Sequence, residues 1–474
     1  MRRWITLEKK AIKLWQAPAG EDQPDRASVS VRRLWHTRAD TEEKGTQAMI
    51  THLGISNVGP APDMELDFGR RLNLLTGDNG LGKSFLLDIL WWAMTRTWPA
   101  EVNPRLTAGK TALPTDKKQP ATIRACFSAA SRIIESESTF KPREQAWPIK
   151  AGRPANPGLI FYAMADGSFA VWDPARNYWK SVREEGKARP PAYVFSPAEV
   201  WNGLENEDGT WLCNGLIRDW AGWQKENGPA FASLQAVLAV LSPSGEEKLV
   251  PGKLTRISLD DARDMPTLRM PYGQEVPVLH ASSGMRRIIS LAYFLVWCWE
   301  EHLKARELTG EEPESRAVFL IDEAEAHLHP KWQRTVIPAL MRVMETLRPD
   351  REMQLMVATH SPLIMASVET LFDASKDAWF DLDLSEGNVL LTQRPFLRQG
   401  NVSNWLTSDA FDLPSGYSRE AEKVLEEATQ ALSTDSFGPE EAQKLDQQLR
   451  GVLSETDPFW IRWRFVAEKK GWLS

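Results

Sequence analysis

The sequence predicts an α/β fold built on a parallel sheet, and three observations predict it. RLNLLTG reads as an apolar strand that ends in glycine and leads by a short turn to an apolar helix, SFLLDILWWAMTRTW. AVFLID is an unbroken run of strand-forming apolar residues, the pattern of a strand covered on both faces. QLMVATHSP repeats the arrangement, an apolar strand closing on polar residues. With 474 residues, 42% of them hydrophobic and 26% charged, the chain can bury a large core and is not of the disordered class.

Taken in order, residues 1–48 join poorly to the segment that begins at Met49, and an added arm or an upstream start codon would produce the same text. From Met49, ITHLGISNV, MELDFG and RLNLLTG read as three strands before the first helix. Residues 99–195 are rich in proline and in β-type segments, TIRACFSA and LIFYAMADGSFAVW. In the latter, Asp166-Gly167 between alternating runs signals a hairpin, and an antiparallel β-subdomain is expected. Residues 199–245 turn helical and rich in tryptophan. A further helix begins near Gly284 and carries Ile288, Ile289, Leu291, Ala292 and Leu295. A long helix is expected from Pro330 and a hairpin over WFDLDLSEGNVLLTQ. The last 75 residues read as helical, with Pro439 as a helix-starting proline. The expected division is an arm (1–48), a first lobe (49–198), a helical lobe (199–310), a core segment (311–400) and a C-terminal helical extension (401–474).

Charge and cysteine content exclude several classes. The 57 Lys and Arg against 64 Asp and Glu leave a net charge of −7, which argues against a nucleic-acid binder held by bulk charge. Cys126, Cys213 and Cys298 lie far apart without a CxxC pair, which excludes a disulfide scaffold and a thiolate zinc site and fits a reducing cytosol. The longest nearly apolar run, Ile288 to Trp299, falls short of the about 20 residues of a membrane span. The first residues lack the apolar stretch of a signal peptide. A soluble, cytoplasmic protein without a membrane partner is expected.

Four segments carry chemistry. GDNGLGKS, Gly77 to Ser84, matches GxxxxGK[ST]. Gly77, Gly80 and Gly82, with Asp78 and Asn79 between them, let backbone N–H groups turn inward around a triphosphate at a helix N-terminus. Lys83 then reaches the β- and γ-phosphates and the Ser84 hydroxyl ligates Mg²⁺, so ATP and Mg²⁺ are the expected cofactors. In AVFLIDEAEAHLHP, Asp322 and Glu323 emerge at the C-terminal edge of a parallel sheet, where ligands bind in open α/β sheets. Asp322 is expected to hold Mg²⁺ through water, and Glu323 to orient or deprotonate the attacking water. His327 and His329, with Glu325 beside them, are better read as a turn into the helix at Pro330 than as a metal site. HASSGMRR places Ser282, Ser283 and Gly284 directly before a helix, an anion site with hydroxyl donors. In VATHSP, His360 ends the strand after Glu323 and can donate to a γ-phosphate.

The order of these segments resembles the ABC-type ATPase heads of the SMC, RecF and OLD kind, over about residues 49–400. That resemblance implies an ABC-type head with a RecA-like core, an antiparallel β-subdomain, a helical lobe and a helical C-terminal extension. It assigns Gly77, Asn79, Gly82, Lys83 and Ser84 to the Walker A loop, and Ser282, Ser283 and Gly284 to the signature motif. Asp322 and Glu323 fall to Walker B and His360 to the switch. The family's Q-loop glutamine has two candidate places, Gln145 and the VFSPAEVW stretch. In such ATPases two heads sandwich each ATP between one Walker A loop and the other's signature, which implies a homo-oligomer, a dimer of heads or higher.

The stretch from Lys83 to Ser282, 199 positions further on, holds no sustained heptads, unlike SMC arms. Asp381-Leu382-Asp383 reads as a polar strand face, not a toprim site. FLIDEAEAHLHPKWQ, ATHSPLIMAS and NWLTSDAF resemble the compact ATPases of bacterial anti-phage defence, and the layout resembles the AriA-type ATPases of PARIS systems. This implies an oligomer that senses a phage anti-restriction protein as trigger and controls a separately encoded toprim nuclease of the AriB type. The alternative is a RecF-like DNA-repair clamp, in which DNA would be bound. Most of the 21 tryptophans are expected in the core. FWIRWRF (Phe459 to Phe465) fits either an interface or a core helix whose arginines reach solvent.

Overall fold

The computed structural model describes residues 48–129, 132–148, 155–178, 189–206, 208–347, 352–433 and 437–472. The arm expected over residues 1–48 lies outside the described residues except for Ala48. The first elements are β1 (Met49–Ser56), β2 (Asp63–Asp67), β3 (Leu72–Gly77) and α1 (Lys83–Thr95). Next come β4 (Thr122–Ala129), β5 (Arg132–Thr139), β6 (Leu159–Ala163), β7 (Phe169–Trp172) and β8 (Tyr193–Phe195). Longer helices come after these strands, α2 (Leu216–Glu226), α3 (Pro229–Val240) and α4 (Ser283–Thr309). β9 (Arg316–Ile321), α5 (Val336–Leu347), β10 (Glu352–Ala358), β11 (Ala378–Ser385) and β12 (Asn388–Gln393) complete the sheet region. The chain closes with α6 (Arg419–Ser433), α7 (Pro439–Val452) and α8 (Phe459–Lys469).

Eight strands form the main sheet in the order β12-β11-β3-β10-β9-β6-β7-β8. The middle five, β11 to β6, are parallel, and antiparallel hairpin partners flank them. Side chains alternate between its two faces, as strand geometry requires. Leu74, Phe161, Phe319, Ile321, Leu355 and Val357 face α2 to α5 and share one core with Trp220, Phe231, Leu234 and Ile289. Leu75, Ile160, Tyr162, Val318, Leu320 and Met356 face α1 and the second sheet. That second sheet is antiparallel, β2-β1-β4-β5. α1 is therefore sandwiched, and its Leu86, Leu87, Ile89, Leu90, Trp91 and Trp92 are all buried. The run from Ile288 to Trp299 is buried throughout, which explains why that stretch of α4 is apolar on every side. Among the described residues no helix is long and apolar enough to cross a membrane.

Three expectations change. The hairpin of LIFYA and FAVW exists, with the turn at Asp166-Gly167, but it extends the main sheet instead of an antiparallel subdomain. β6 is buried along its whole length and pairs in parallel with β9, from Ala317↔Leu159 to Ile321↔Ala163. Such double-sided burial suits a strand inside the main sheet. The helix from Pro330 is two pieces, Pro330–Gln333 and then α5. Pro338 would collide with the Arg334 carbonyl in a continuous helix, whereas in the first turn of α5 its missing N–H costs nothing. Asp381 is not on a polar face. It is buried, accepts from the Thr76 hydroxyl at 2.7 Å and pairs with Arg394 at 3.2 Å.

The C-terminal helices α6 to α8 have a hydrophobic cluster of their own, centred on Trp463, Leu445, Leu449 and Ala428. Trp460 and Trp463 point inward, and the Trp463 indole N–H donates to Asp446 at 2.9 Å. Ile461 and Phe465 on the same helix are exposed. Replacing Trp463 with Ala removes a fully buried ring and leaves Asp446 with Arg450 as its remaining donor, a cost of about 3–5 kcal/mol. Because the cluster is separate, hydrogen exchange should show lost protection across α6 to α8 and unchanged protection in β3, β9 and β10.

Candidate nucleotide site

Parallel pairing brings the ends of β3, β10 and β9 to one edge, with Leu75 opposite Ala358 and Val357 opposite Ile321. From that edge three loops emerge. The first runs from β3 to α1. Gly77 has φ +125°, and a Cβ there would lie 2.1 Å from the Leu382 carbonyl oxygen of β11, so only glycine fits. The loop continues with Asp78, Asn79 and Gly80 exposed. The Lys83 ammonium folds back over it and donates to the carbonyls of Gly77 at 2.7 Å and Asp78 at 2.8 Å. Burial pushes its pKa down to about 8 while Asp322, Glu325 and Asp78 pull the other way.

The second loop leaves the end of β9. The Asp322 N–H donates to Ala163 O at 2.9 Å, which extends the sheet pairing by one residue. Burial raises the Asp322 pKa, and the neighbouring Ser84 hydroxyl opposes the rise. Glu323 then adopts φ +44°, a left-handed conformation that costs a non-glycine residue roughly 1–2 kcal/mol. The bonds Ala324 N–H to Ala358 O and Ala326 N–H to Glu323 O hold it there. Backbone strain maintained by its surroundings is a feature of working sites.

Glu325 joins this loop to the third, which leaves the end of β10. Its carboxylate accepts from the Thr359 hydroxyl at 2.6 Å and from the His360 N–H at 2.5 Å. His360 is half-buried, and burial together with the charge of Lys83 holds its imidazole below the usual pKa, hence neutral at pH 7. No role for Glu325 is legible in the sequence, because its partners lie 34 and 35 positions further on.

Ser282, Ser283 and Gly284 start α4. The Ser282 hydroxyl caps the helix by accepting from Met285 N–H at 3.3 Å, and both serines are exposed. Gly284 is buried, and a Cβ there would stand 2.6 Å from His327 O. The bare helix start thus abuts the loop after Glu323. The structure therefore gathers Lys83, Ser84, Asp322, Glu323 and His360 at one edge and sets the serines beside the next loop, open to solvent.

Among the described residues no trio of His, Cys, Asp or Glu is arranged to hold a metal. His329 caps the Pro330 helix, its Nδ1 accepting from Lys331 N–H at 3.3 Å. The neighbouring Ser84 hydroxyl and Asp322 carboxylate form a hard-oxygen donor set. It fits Mg²⁺, which keeps most of its waters and is normally held by one or two carboxylates together with substrate phosphates.

A protein-family profile described as "AAA domain, putative AbiEii toxin, Type IV TA system" matches residues 72–366, which takes in all three loops and the start of α4. The chain belongs to this AAA family. Its ATPase domain is thus an ATP-binding domain, and the three loops at the sheet edge are that domain's loops. Two curated relatives are similar to parts of it. "Retron Ec83 probable ATPase" of Escherichia coli is 26% identical over 202 residues, 41% of this chain and 33% of the relative. "Retron Vc95 probable ATPase" of Vibrio cholerae serotype O1 biovar El Tor is 29% identical over 114 residues, 24% of this chain and 20% of the relative. The matched region spans about a third or less of the length of these relatives. Among solved structures, an SMC head domain from Thermotoga maritima aligns with 73% of this chain and 99% of its own, at 14% identity and a TM-score of 0.35. At that score the likeness carries no functional inference.

The AAA domain also buries a carboxyl group that no motif in the sequence marks. Asp88, on α1, accepts from the Tyr162 hydroxyl at 2.9 Å. Burial, with Asp322 adding to it, raises its pKa to about 7. A carboxyl raised in the fold binds its proton more tightly folded than unfolded, so its stabilising contribution is complete below about pH 4 and is lost as pH rises through 7. Asp88→Asn keeps the acceptor for Tyr162 and removes the titration. Thermal melts should show the variant more stable than the parent at pH 8, with the difference shrinking toward pH 5.

Proposed function

We propose that this chain is an ATP-hydrolysing switch of bacterial anti-phage defence, of the AriA kind found in PARIS systems. In this reading two heads close on two ATP molecules and thereby hold or release a separately encoded toprim nuclease, with a phage anti-restriction protein as trigger. The observation that carries the ATP part is Lys83 folded back over the Gly77–Ser84 loop, on the carbonyls of Gly77 and Asp78, at the sheet edge where the strand of Asp322 also ends. The setting is supported by the likeness of FLIDEAEAHLHPKWQ and ATHSPLIMAS to compact defence ATPases and by the similarity to two probable retron ATPases.

Each residue then has a task. Lys83 leaves the carbonyls of Gly77 and Asp78 for the β- and γ-phosphates, and the N–H groups of residues 77–84 line the same phosphates. Ser84 and Asp322 would hold Mg²⁺, which supplies charge neutralisation at the transferring phosphoryl group. Glu323 orients and deprotonates the attacking water. Neutral His360 donates one N–H toward the γ-phosphate. Ser282 and Ser283, exposed at the start of α4, supply hydroxyl donors to a second head's nucleotide. Two-fold pairing would build two such composite sites.

Glu323→Gln should bind ATP as the parent does and hydrolyse it about 10²–10⁴-fold more slowly, because only proton handling is lost. Lys83→Ala should weaken binding itself. Parental turnover by Glu323→Gln, in single-turnover assays, would overturn the assignment of Glu323.

Shared sites predict complementation. Ser283→Arg disables the site completed by a neighbour's Lys83, and Lys83→Ala disables its own. In a mixed pair one site carries both lesions and the other is intact, so mixing the two variants should restore part of the hydrolysis. Full activity in a demonstrated monomer, or no rescue in confirmed mixed pairs that still bind ATP, argues against shared sites. Co-purification with a toprim neighbour supports the nuclease-control reading, whereas strong salt-dependent duplex binding supports a DNA clamp.

A further inference from the structure

Arg287 lies one turn into α4, past Ser282, Ser283 and Gly284, and its side chain is buried at the active edge of the sheet. Its Nη2 donates to the Asp322 carbonyl oxygen at 3.4 Å. Its guanidinium stands over the Phe169 ring, 5.7 Å from the centroid. Its Nη1 is buried and has no hydrogen-bond partner. A buried guanidinium usually forks onto a carboxylate, since an uncompensated buried charge is costly. Here the negative charges around it are Asp322, Asp166 and Glu323, and its one hydrogen bond goes to a main-chain carbonyl. That carbonyl belongs to the peptide linking Asp322 to Glu323, where the backbone turns left-handed.

We propose that Arg287 is a positioning residue that holds the Asp322–Glu323 peptide and thereby ties the start of α4 to the orientation of Glu323. The importance of that orientation for hydrolysis rests on the proposed role of Glu323 as the water-handling carboxylate. The first turn of α4 touches the loop after β9 at two points: Gly284 against His327 O, and Arg287 on Asp322 O. Rotation about the Asp322–Glu323 peptide swings the Glu323 carboxylate, and a bond to its carbonyl resists that rotation. A shift of the α4 start, such as one imposed when Ser282 and Ser283 engage a second head's nucleotide, is thus passed to Glu323. At 3.4 Å the bond is at the long end of the hydrogen-bond range and has room to tighten. The free Nη1 leaves the guanidinium a second donor for the tightened state.

The test uses the full chain with Arg287→Met, which keeps length and packing, and Arg287→Lys, which keeps charge without the fork. The expected result for Arg287→Met is a kcat about tenfold lower, with KM and MgATP affinity within about threefold of the parent. In the nucleotide-free protein, amides of residues 322–326 should exchange about tenfold faster while those in the body of α4 do not change. Arg287→Lys should recover part of both effects. Parental kcat together with parental exchange at 322–326 overturns the proposal, and so does a loss of MgATP affinity that matches the loss of kcat. If Arg287→Met does not fold, the lysine variant is decisive, because it should show both effects at smaller size. If the parent hydrolyses no ATP, the proposed function fails, yet the exchange experiment still decides whether Arg287 holds the peptide.

Discussion

The site depends on one constraint, the parallel register of β10 between β3 and β9. Ala358 stands opposite Leu75 and Val357 opposite Ile321, so the three strands end within three residues of one another. Three loops from distant parts of the chain therefore leave the sheet side by side. Without this register, Lys83, Asp322 and His360 would be three unrelated polar residues.

What holds the register is burial on both faces. The middle strands carry almost no exposed residue, and their alternate side chains feed two different cores. A slip by one residue would exchange the two sets. It would drive Phe161 and Phe319 into the space of α1, and Tyr162 and Leu320 into that of α4. Polar residues at the edge reinforce the arrangement locally. Asp381 beneath Thr76 steadies the strand that delivers Gly77, and Glu325 clamps the ends of β9 and β10 together.

The polar edge carries its own tension. Lys83, Asp322 and Asp88 are all pushed toward their neutral forms by burial, and Glu323 sits in a left-handed conformation. Lys83 satisfies itself on two loop carbonyls. Such a site is poised for an anion, since a triphosphate would compensate the buried ammonium and replace those carbonyls. The serines of α4 lie outside this cluster, exposed beside the loop after Glu323.

The sequence by itself determined the parts whose signal is local. GDNGLGKS states its glycines, lysine and serine within eight residues, and a strand-turn-helix surrounds it because the apolar runs on either side have fixed lengths. AVFLIDE and VATHSP likewise show their strands and the residues at the strand ends. Tertiary structure decided what depends on partners far along the chain. LIFYA reads equally well in either sheet, and only the parallel pairing with β9 places it in the large one. Asp381 looks like one more polar residue on an alternating strand until Thr76 and Arg394 close over it. Glu325 and Arg287 resemble solvent-facing charges in sequence, because the carbonyl, hydroxyl and amide they bind lie 34 or 35 residues away. Local patterns encode which element forms, whereas register and burial, set by the whole core at once, decide which charges the elements enclose.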